Sequence, residues 1–267
     1  MLTDVHTHLT DPRLAAMEGE VLARAAAAGL SAVISNGLNV ADNAAVRALA
    51  ARHPLVRPAY GLYPVDAVLP EMIAAGVEYK RDDGPVLPAE EAVAQVRALI
   101  DEAVAVGEIG LDGYWVPELL WGRQEEVLRQ LLAVAVAADK PVILHTRKRE
   151  RRMMEIVEEQ RLTRVCWHCF GGKVKLAMKI AELEGQYFSI PANARRSESF
   201  TRLLEKLPRD KVLLETDAPY LGPVPGALNE PANIAGTADY AATLWGCSPG
   251  EAREQLAANT RALFGEL

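Results

Sequence analysis

The sequence predicts an α/β fold, specifically a (β/α)₈ TIM barrel that forms a single domain over residues 1–267. Short apolar runs alternate eight times with helical patterns, which is typical of parallel strands joined by helices. The length of 267 residues suits eight such units, because barrels of about 250 residues fold as one domain. An open doubly wound sheet is the alternative, but the first predicted strand runs into His-Thr-His-Leu-Thr at residues 6–10, without the glycines of a phosphate-binding turn.

The predicted strands are short apolar runs that end near a Gly, Pro, His, Asp or Asn. In chain order they are Leu2–His8, Ser31–Asn36, Val56–Leu62, Ala103–Leu111, Pro141–His145, Arg164–His168, Gln186–Ile190 and Lys211–Asp217. In a barrel of parallel strands the carboxyl ends meet at one rim, and active sites form there. We therefore expect functional residues where these strands end.

Helical patterns occupy the intervals and follow the last strand. They are Pro12–Ala28, Val40–Arg52, Ala89–Glu102, Leu119–Ala138, Glu150–Gln160, Lys173–Glu184, Ser197–Leu207, Ile234–Trp245 and Pro249–Phe264. A polar N-cap followed by proline marks two of the starts, at Asp11-Pro12 and Ser248-Pro249. Ser248 and Glu251 also match a capping box, which supports the start of the last helix.

Residues 65–88 depart from this alternation. The segment contains several prolines and the charged run Lys80-Arg81-Asp82-Asp83. We interpret it as an insertion after the third strand, on the face of the barrel where active sites form. A plain surface loop is an equally good interpretation of the same pattern.

The composition and charge of the chain limit its expected partners and location. With 29 Lys and Arg against 36 Asp and Glu, the net charge is −7, which disfavours broad electrostatic binding to nucleic acid or membrane but leaves room for a local basic groove. No apolar run reaches about 18 residues and the N-terminus lacks signal-peptide features, so we expect no membrane association. The three cysteines suit a reducing compartment, and we expect the protein in the cytoplasm.

Histidines and carboxylates concentrate at the predicted strand ends. His6 and His8 are two residues apart on one strand, so both rings project from the same face. Four of the five histidines lie at the ends of predicted strands. They are His6 and His8 in the first strand, His145 in the fifth and His168 in the sixth. Carboxylates join them: Glu108 lies in the fourth strand, and Glu215 and Asp217 end the eighth. The fifth histidine precedes Pro54 in a loop, and we expect it to be solvated.

Such a cluster predicts a metal site. Burying four imidazoles and two of these carboxylates at one rim without partners would be very costly, and a divalent cation offsets that cost. Catalytic sites use three or four N and O ligands for each ion, so six ligands exceed what one ion needs. We therefore predict two divalent ions that share one carboxylate, with zinc as the expected metal and manganese or magnesium as alternatives.

Residues beside this cluster are candidates for substrate contact. Arg147 lies two positions beyond His145 and is predicted to share its face, where it could hold a phosphate. The alternative is that Arg147 and the basic residues after it form a solvated helix start. Tyr114 and Trp115, just past the fourth strand, could stack on a substrate base, although core packing is the commoner use of such residues.

The candidate site residues lie in six longer motifs. They are Asp4-Val5-His6-Thr7-His8, Gly107-Glu108-Ile109-Gly110-Leu111-Asp112, His145-Thr146-Arg147, His168-Cys169-Phe170, Glu215-Thr216-Asp217-Ala218-Pro219-Tyr220-Leu221 and Asn229-Glu230-Pro231-Ala232-Asn233-Ile234. In these motifs the chain resembles the TatD family of metal-dependent hydrolases. The motifs occur in family order from residue 4 to residue 234, so the resemblance covers nearly the whole chain.

The resemblance implies an amidohydrolase-like TIM barrel and a metal-dependent deoxyribonuclease, and we expect it to act at a DNA end. It implies that His6, His8 and Asp217 hold one ion and that His145 and His168 hold the other. It further implies that Glu108 bridges the two ions and that Asp217 accepts a proton from the attacking water. Asp217 and Glu108 are therefore the predicted catalytic residues.

The sequence departs from the family at its substrate contacts. Where the family often has Gly-x-His-Pro, this chain reads Gly61-Leu62-Tyr63-Pro64, and Leu228 stands where an arginine often precedes Asn-Glu-Pro. Tyr63 could still donate a hydrogen bond to a phosphate, so Tyr63 and Arg147 are the predicted substrate-binding residues.

The predicted partner is DNA or another nucleotide phosphodiester, and the oligomeric state is left open, a monomer being compatible with the sequence. The departures motivate an alternative, in which the same metal site hydrolyses an amide, a lactone or a carboxylic ester. A non-catalytic metal-binding protein is a third hypothesis, and the presence of Asp217 disfavours it.

Overall fold

A computed structural model describes residues 1–79 and 85–267. Within these residues one sheet of eight parallel strands follows the order of the chain, with helices between successive strands, so the predicted barrel is confirmed. The strands are β1 (Leu2–Thr7), β2 (Leu30–Asn36), β3 (Val56–Tyr60), β4 (Ala105–Asp112), β5 (Val142–Arg147), β6 (Val165–Trp167), β7 (Gln186–Ile190) and β8 (Val212–Leu214).

The α-helices pack on the outside of this sheet. They are α1 (Pro12–Ala15), α2 (Glu18–Ala27), α3 (Val40–Arg52), α4 (Leu69–Ala74), α5 (Ala89–Leu99), α6 (Trp121–Ala137), α7 (Glu150–Gln160), α8 (Val174–Ala181), α9 (Glu198–Lys206), α10 (Ile234–Trp245) and α11 (Pro249–Phe264). The predicted caps of Asp11 and Ser248 are both present, the second as a full capping box with Glu251. The single helix predicted over Pro12–Ala28 is wrong, because the backbone at Met17 leaves the helical region with φ −130°.

The segment after the last strand bonds to the first strand and nearly closes the barrel. The backbone N–H of Asp217 donates to the carbonyl of His6 at 2.9 Å, and the N–H of His8 donates to the carbonyl of Ala218 at 2.8 Å. Asp4, fully buried in β1, reinforces this seam by accepting bonds from the backbone N–H and the hydroxyl of Thr216. The segment that follows β8 is therefore fixed against the carboxyl end of β1.

Six of the eight strands end at a residue other than the predicted one, three of them (β1, β4 and β6) by a single residue. β4 continues four residues past Glu108 and β5 continues to Arg147, because the two strands stay in register as far as the pair Asp112 and Arg147. β8 instead stops at Leu214, because Thr216 pairs with β1 and Asp217 adopts a left-handed conformation with φ +53°. Glu108 thus lies inside a strand, and Asp217 lies in the turn beyond one.

A glycine permits the close approach of β4 and β5 near the rim. Gly110 has φ +153°, and a Cβ built on it would lie 2.0 Å from the carbonyl oxygen of His145. No other residue fits that space. The requirement for glycine therefore fixes the spacing between the strands that carry Glu108 and His145.

The segment predicted as an insertion, residues 65–88, forms a short 3₁₀ turn (Asp66–Val68) and α4 before the undescribed residues. Val65, Val68 and Met72 pack in one cluster with Val116 and Leu120, which follow β4. The segment is thus attached to the loop beside the rim. The charged run at residues 80–83 lies outside the described residues.

Across the part of the chain that the structure describes, every helix falls short of the length or the hydropathy that a bilayer span requires.

The hydrogen bonds that Asp4 accepts should make a measurable contribution to the stability of the fold. Asp4→Ala would leave two buried N–H groups and a hydroxyl without their acceptor, so we expect the free energy of unfolding to fall by about 3 kcal/mol. Asp4→Asn retains an acceptor oxygen and should lose less. Urea denaturation of the metal-free protein measures both, with the exposed Asp101→Ala as control. An equal effect of Asp4→Ala and Asp101→Ala would contradict this role.

Candidate metal centre

Four ligand atoms from three parts of the chain converge at the β8–β1 seam. The Nε2 atoms of His6 and His8 are 3.2 Å apart. Glu108 Oε2 lies 3.5 Å from the first and 3.4 Å from the second. Asp217 Oδ1 lies 3.7 Å and 3.4 Å from the same two nitrogens. His6, His8 and Glu108 are buried, and Asp217 is nearly so.

This geometry fits a divalent cation. Ligands about 2.1 Å from a tetrahedral ion stand roughly 3.4 Å from one another, and the five distances above run from 3.2 to 3.7 Å. The donor chemistry agrees, since two imidazole nitrogens and two carboxylate oxygens face one point, and imidazole with carboxylate is a ligand set that zinc and manganese accept.

A second group of ligands adjoins the first through Glu108. Glu108 Oε1 lies 2.8 Å from His145 Nδ1, while Oε2 faces the first group. Ligand atoms of Glu108, His145 and His168 lie within 4.8 Å of one another. The His168 ring also stacks on the His6 ring with a centroid distance of 3.5 Å. The two oxygens of one carboxylate therefore face two neighbouring groups.

Further buried groups orient the imidazoles. Glu215 Oε2 is 2.7 Å from His168 Nδ1 and also accepts a bond from Ser189. Asp112 Oδ2 is 3.0 Å from His145 Nε2. The backbone carbonyl of Asn36 is 3.3 Å from His8 Nδ1. Partners of this kind fix ring orientation and tautomer in metal sites.

The sequence did not predict that Asp112 and Glu215 orient histidine rings. Both residues lie in motifs that the sequence showed, but no contact was predicted for either. The available signal was their position: Glu215 is two residues before Asp217, and Asp112 ends the same strand as Glu108.

The electrostatics of the cluster differ from residue to residue. Burial and the neighbouring His168 lower the pKa of His6 to about 3. Burial alone would lower the pKa of His8 too, but Asp217 and Glu108 raise it to about 9. Against the same effect of burial, Asp112 and Glu108 raise the pKa of His145 to about 9.

The carboxylates respond in the opposite sense. Burial disfavours their charge, but the surrounding histidines hold the pKa of Glu108 well below its ordinary value. His8, His168 and His6 likewise lower the pKa of Asp217. Both carboxylates are therefore ionised at neutral pH and available to a cation.

The predicted substrate contacts lie beside the cluster. The Tyr63 ring centroid is 5.1 Å from that of His145. Burial, with the Glu108 and Asp112 carboxylates nearby, raises the pKa of Tyr63, so its hydroxyl remains a neutral donor. Arg147 is exposed, and its guanidinium lies 3.9 Å from the ring centroid of Tyr114. Leu228 is also exposed.

The basic residues after Arg147 do not all form a solvated helix start. Arg149 is buried, pairs with Glu125 and lies over the Trp121 ring at 4.1 Å. His53 lies outside the cluster and pairs with Glu18 at 3.1 Å, as its predicted loop position suggested.

A TIM barrel whose rim gathers four histidines with ionised carboxylates has the architecture of a metal-dependent hydrolase. The model of the family "TatD related DNase" matches residues 3–265 of this chain. The chain therefore belongs to the TatD family, as the resemblance of its motifs implied.

Individual relatives agree with this assignment. The chain is 30% identical to deoxyribonuclease TATDN3 of Homo sapiens, over 100% of this chain and 95% of the relative. It is 29% identical to the 3'-5' ssDNA/RNA exonuclease TatD of Citrobacter rodentium, over 98% and 97% of the two chains. The crystal structure of YjjV, a TatD homologue from Escherichia coli K12, superposes with a TM-score of 0.84 at 27% identity, covering 100% of this chain and 98% of that one.

The cluster predicts that metal stabilises the fold. An ion at about 100 times its Kd adds about 2.7 kcal/mol, which should raise the melting temperature of the metal-free protein by roughly 5–10 °C. His8→Ala removes one of four converging ligands and should lose more than half of that rise. His53→Ala, outside the cluster, should keep it. Thermal unfolding with and without Zn²⁺ measures this, and equal rises in both variants would contradict the ligand set.

The raised pKa values of His8 and His145 predict that metal binding depends on pH. Because His8 and His145 have pKa values of about 9 in the metal-free fold, both carry protons at pH 7. Their protonation stabilises that fold fully below pH 6.5, and the effect is lost as the pH rises through about 9. A metal must displace these protons, so Mn²⁺ affinity should rise between pH 7 and 9 with release of about two protons. Calorimetry in buffers of different ionisation enthalpy measures the release, and none at pH 7 would contradict it.

Proposed function

We propose that this protein is a metal-dependent hydrolase of the TatD type that cleaves phosphodiester bonds of DNA, removing nucleotides from an end. Membership of the TatD related DNase family supports this, as do the names of the relatives as deoxyribonucleases and an exonuclease. The observation that carries the proposal is the position of Glu108, whose two carboxylate oxygens face two adjacent ligand groups.

We assign one divalent ion to His6, His8 and Asp217 and a second to His145 and His168, with Glu108 shared between them. The convergence of four ligand atoms in the first group supports the first assignment. Zinc is the proposed metal, because the set is rich in histidine. Bound there, such ions would activate water for attack and would neutralise charge on a phosphoryl group.

Asp217 is the proposed proton acceptor. Its carboxylate is ionised, and it is the most exposed of the four converging side chains, so a substrate and a water can reach it. Its backbone N–H donates to β1, which fixes the carboxylate relative to His6 and His8. A base held in this way loses little orientation freedom when it accepts a proton.

Tyr63 and Arg147 are the proposed phosphate contacts. The Tyr63 ring lies beside that of His145, and its neutral hydroxyl has no hydrogen-bond partner among the described residues, so it is free to donate to a phosphoryl oxygen. Arg147 supplies positive charge close by, and among the described residues no carboxylate lies within 4.0 Å of it. Such donors stabilise the charge that develops on phosphate during cleavage.

We further propose that residues 1–267 act as one domain and that the protein works in the cytoplasm. The first proposal is supported by Leu263 and Phe264 of α11, which share a core cluster with Val5 of β1. The second is supported by three cysteines that are all free thiols.

A substrate panel tests the function. The protein loaded with Zn²⁺ or Mn²⁺ should shorten single-stranded oligonucleotides stepwise, and chelation should abolish cleavage. Asp217→Asn should lower the rate by about 10²–10⁴-fold through loss of the general base, whereas the exposed Asp101→Asn should not. The panel also contains amides, lactones and carboxylic esters. Turnover of one of these without any phosphodiester cleavage would replace the proposal by the alternative chemistry.

A further inference from the structure

An exposed aromatic surface adjoins the β4 and β5 side of the metal centre. Tyr114 and Trp115 are 54% and 44% exposed, although large aromatic side chains are usually buried. Their rings pack edge to face at 4.7 Å, and the Arg147 guanidinium lies 3.9 Å from the centroid of one and 5.7 Å from the other. The Tyr79 ring extends the surface at 5.7 Å from Trp115. We call Tyr114, Trp115 and Arg147 the first platform.

The first platform is fixed to the metal centre by one carboxylate. Asp112 Oδ1 accepts bonds from the backbone N–H groups of Tyr114 and Trp115, both at 2.7 Å. Its other oxygen is 3.0 Å from His145 Nε2. The aromatic pair is thus held at a set position relative to a predicted metal ligand.

A second aromatic and arginine pair adjoins the β8 and β1 side. Tyr220 is 50% exposed, and the Arg13 guanidinium lies 4.7 Å from its ring centroid. The N–H of Tyr220 donates to the carbonyl of Asp217 at 2.8 Å. Arg13 donates two bonds to the Asp11 carboxylate, and the backbone N–H of Asp11 donates to the carbonyl of His8. We call Tyr220 and Arg13 the second platform.

The order of the strands places the two platforms across the barrel from each other. The eight strands follow the order of the chain, so the β4–β5 pair lies opposite the β8–β1 seam. Glu108 and His145 come from the first side, and His6, His8 and Asp217 come from the second. The ligand cluster therefore lies between the platforms.

The chemistry of both platforms suits nucleobases. Exposed aromatic rings stack on any base, at roughly 1–3 kcal/mol per base, and arginine adds a planar cation. The two differ in charge: Arg13 is neutralised by Asp11, whereas Arg147 has no carboxylate partner among the described residues. The first platform can thus contact a phosphate as well as a base, while the second offers mainly a stacking surface.

We propose that the two platforms are nucleobase-stacking sites on either side of the metal centre, so that a single strand lies across the mouth of the barrel with one base bound on each side of the scissile phosphodiester. The proposal rests on the proposed function for its substrate and adds the binding sites of the two bases. It assigns a ligand to Tyr220, which the sequence analysis left without a role.

Oligonucleotide binding to the metal-free protein in EDTA tests the proposal without cleavage. With a fluorescein-labelled single strand of five nucleotides, Trp115→Ala and Tyr220→Ala should each raise Kd by roughly 5- to 30-fold. Trp115→Phe and Tyr220→Phe keep a ring and should restore most of the affinity. The control is Lys211→Ala, since Lys211 lies 5.3 Å over the Tyr187 ring at the opposite end of the barrel and should not affect binding.

Abasic strands identify the base that each ring contacts. An abasic nucleotide at one position should abolish the effect of Trp115→Ala but not that of Tyr220→Ala, and the reverse should hold at a neighbouring position. The losses of binding affinity caused by ring removal and by base removal could instead add at every position, or binding could prove independent of the bases. Either result would reject the proposed stacking sites. A change of oligomeric state on ring removal, with oligonucleotide binding intact, would mark a protein interface and overturn the proposal.

The outcomes separate this proposal from the proposed function. Base-dependent binding to both platforms, together with no phosphodiester cleavage by the metal-loaded protein, would reject the function and keep the stacking sites. Stepwise cleavage of DNA that is unaffected by either ring, together with unchanged binding, would reject the stacking sites and keep the function.

Discussion

The structure depends on the burial of several ionisable side chains that satisfy one another only in part. The Nε2 atoms of His6 and His8 face each other at 3.2 Å, and two carboxylates face the same point. Protein groups alone leave this arrangement costly. A cation among them lets each imidazole and carboxylate donate a lone pair, which turns the cost into binding energy.

The barrel supplies the rigidity that this arrangement needs. Asp4 and Thr216 join β1 to the segment after β8, which places His6 and His8 opposite Asp217. On the other side, Gly110 sets the approach of β4 to β5. Asp112 and Glu215 then orient His145 and His168 from behind. Residues that never touch a substrate thus determine whether the ligands converge, as is common around metal sites.

Much of this could be predicted from the sequence, because periodicity reports on burial. The alternation of apolar runs predicted all eight strands, and the spacing of His6 and His8 predicted that their rings share a face. Strand ends were less predictable, because they depend on pairing with a neighbour: β5 keeps its partner as far as Arg147, whereas β8 stops before Glu215. The role of Asp4 depends on tertiary contacts, for which a single sequence carries no signal, and the only signal for Asp112 was its place at the end of the strand that carries Glu108.

The predicted substrate contacts depart from the family more than the predicted metal ligands do. Tyr63 lies beside His145 and offers a neutral hydroxyl where the family often has histidine. Crystals grown with Zn²⁺ test the proposed ligand set most directly, through anomalous diffraction. We predict two anomalous peaks, one among His6, His8 and Asp217 and one beside His145 and His168, with Glu108 between them. Zinc-containing crystals without an anomalous peak in this cluster would contradict it.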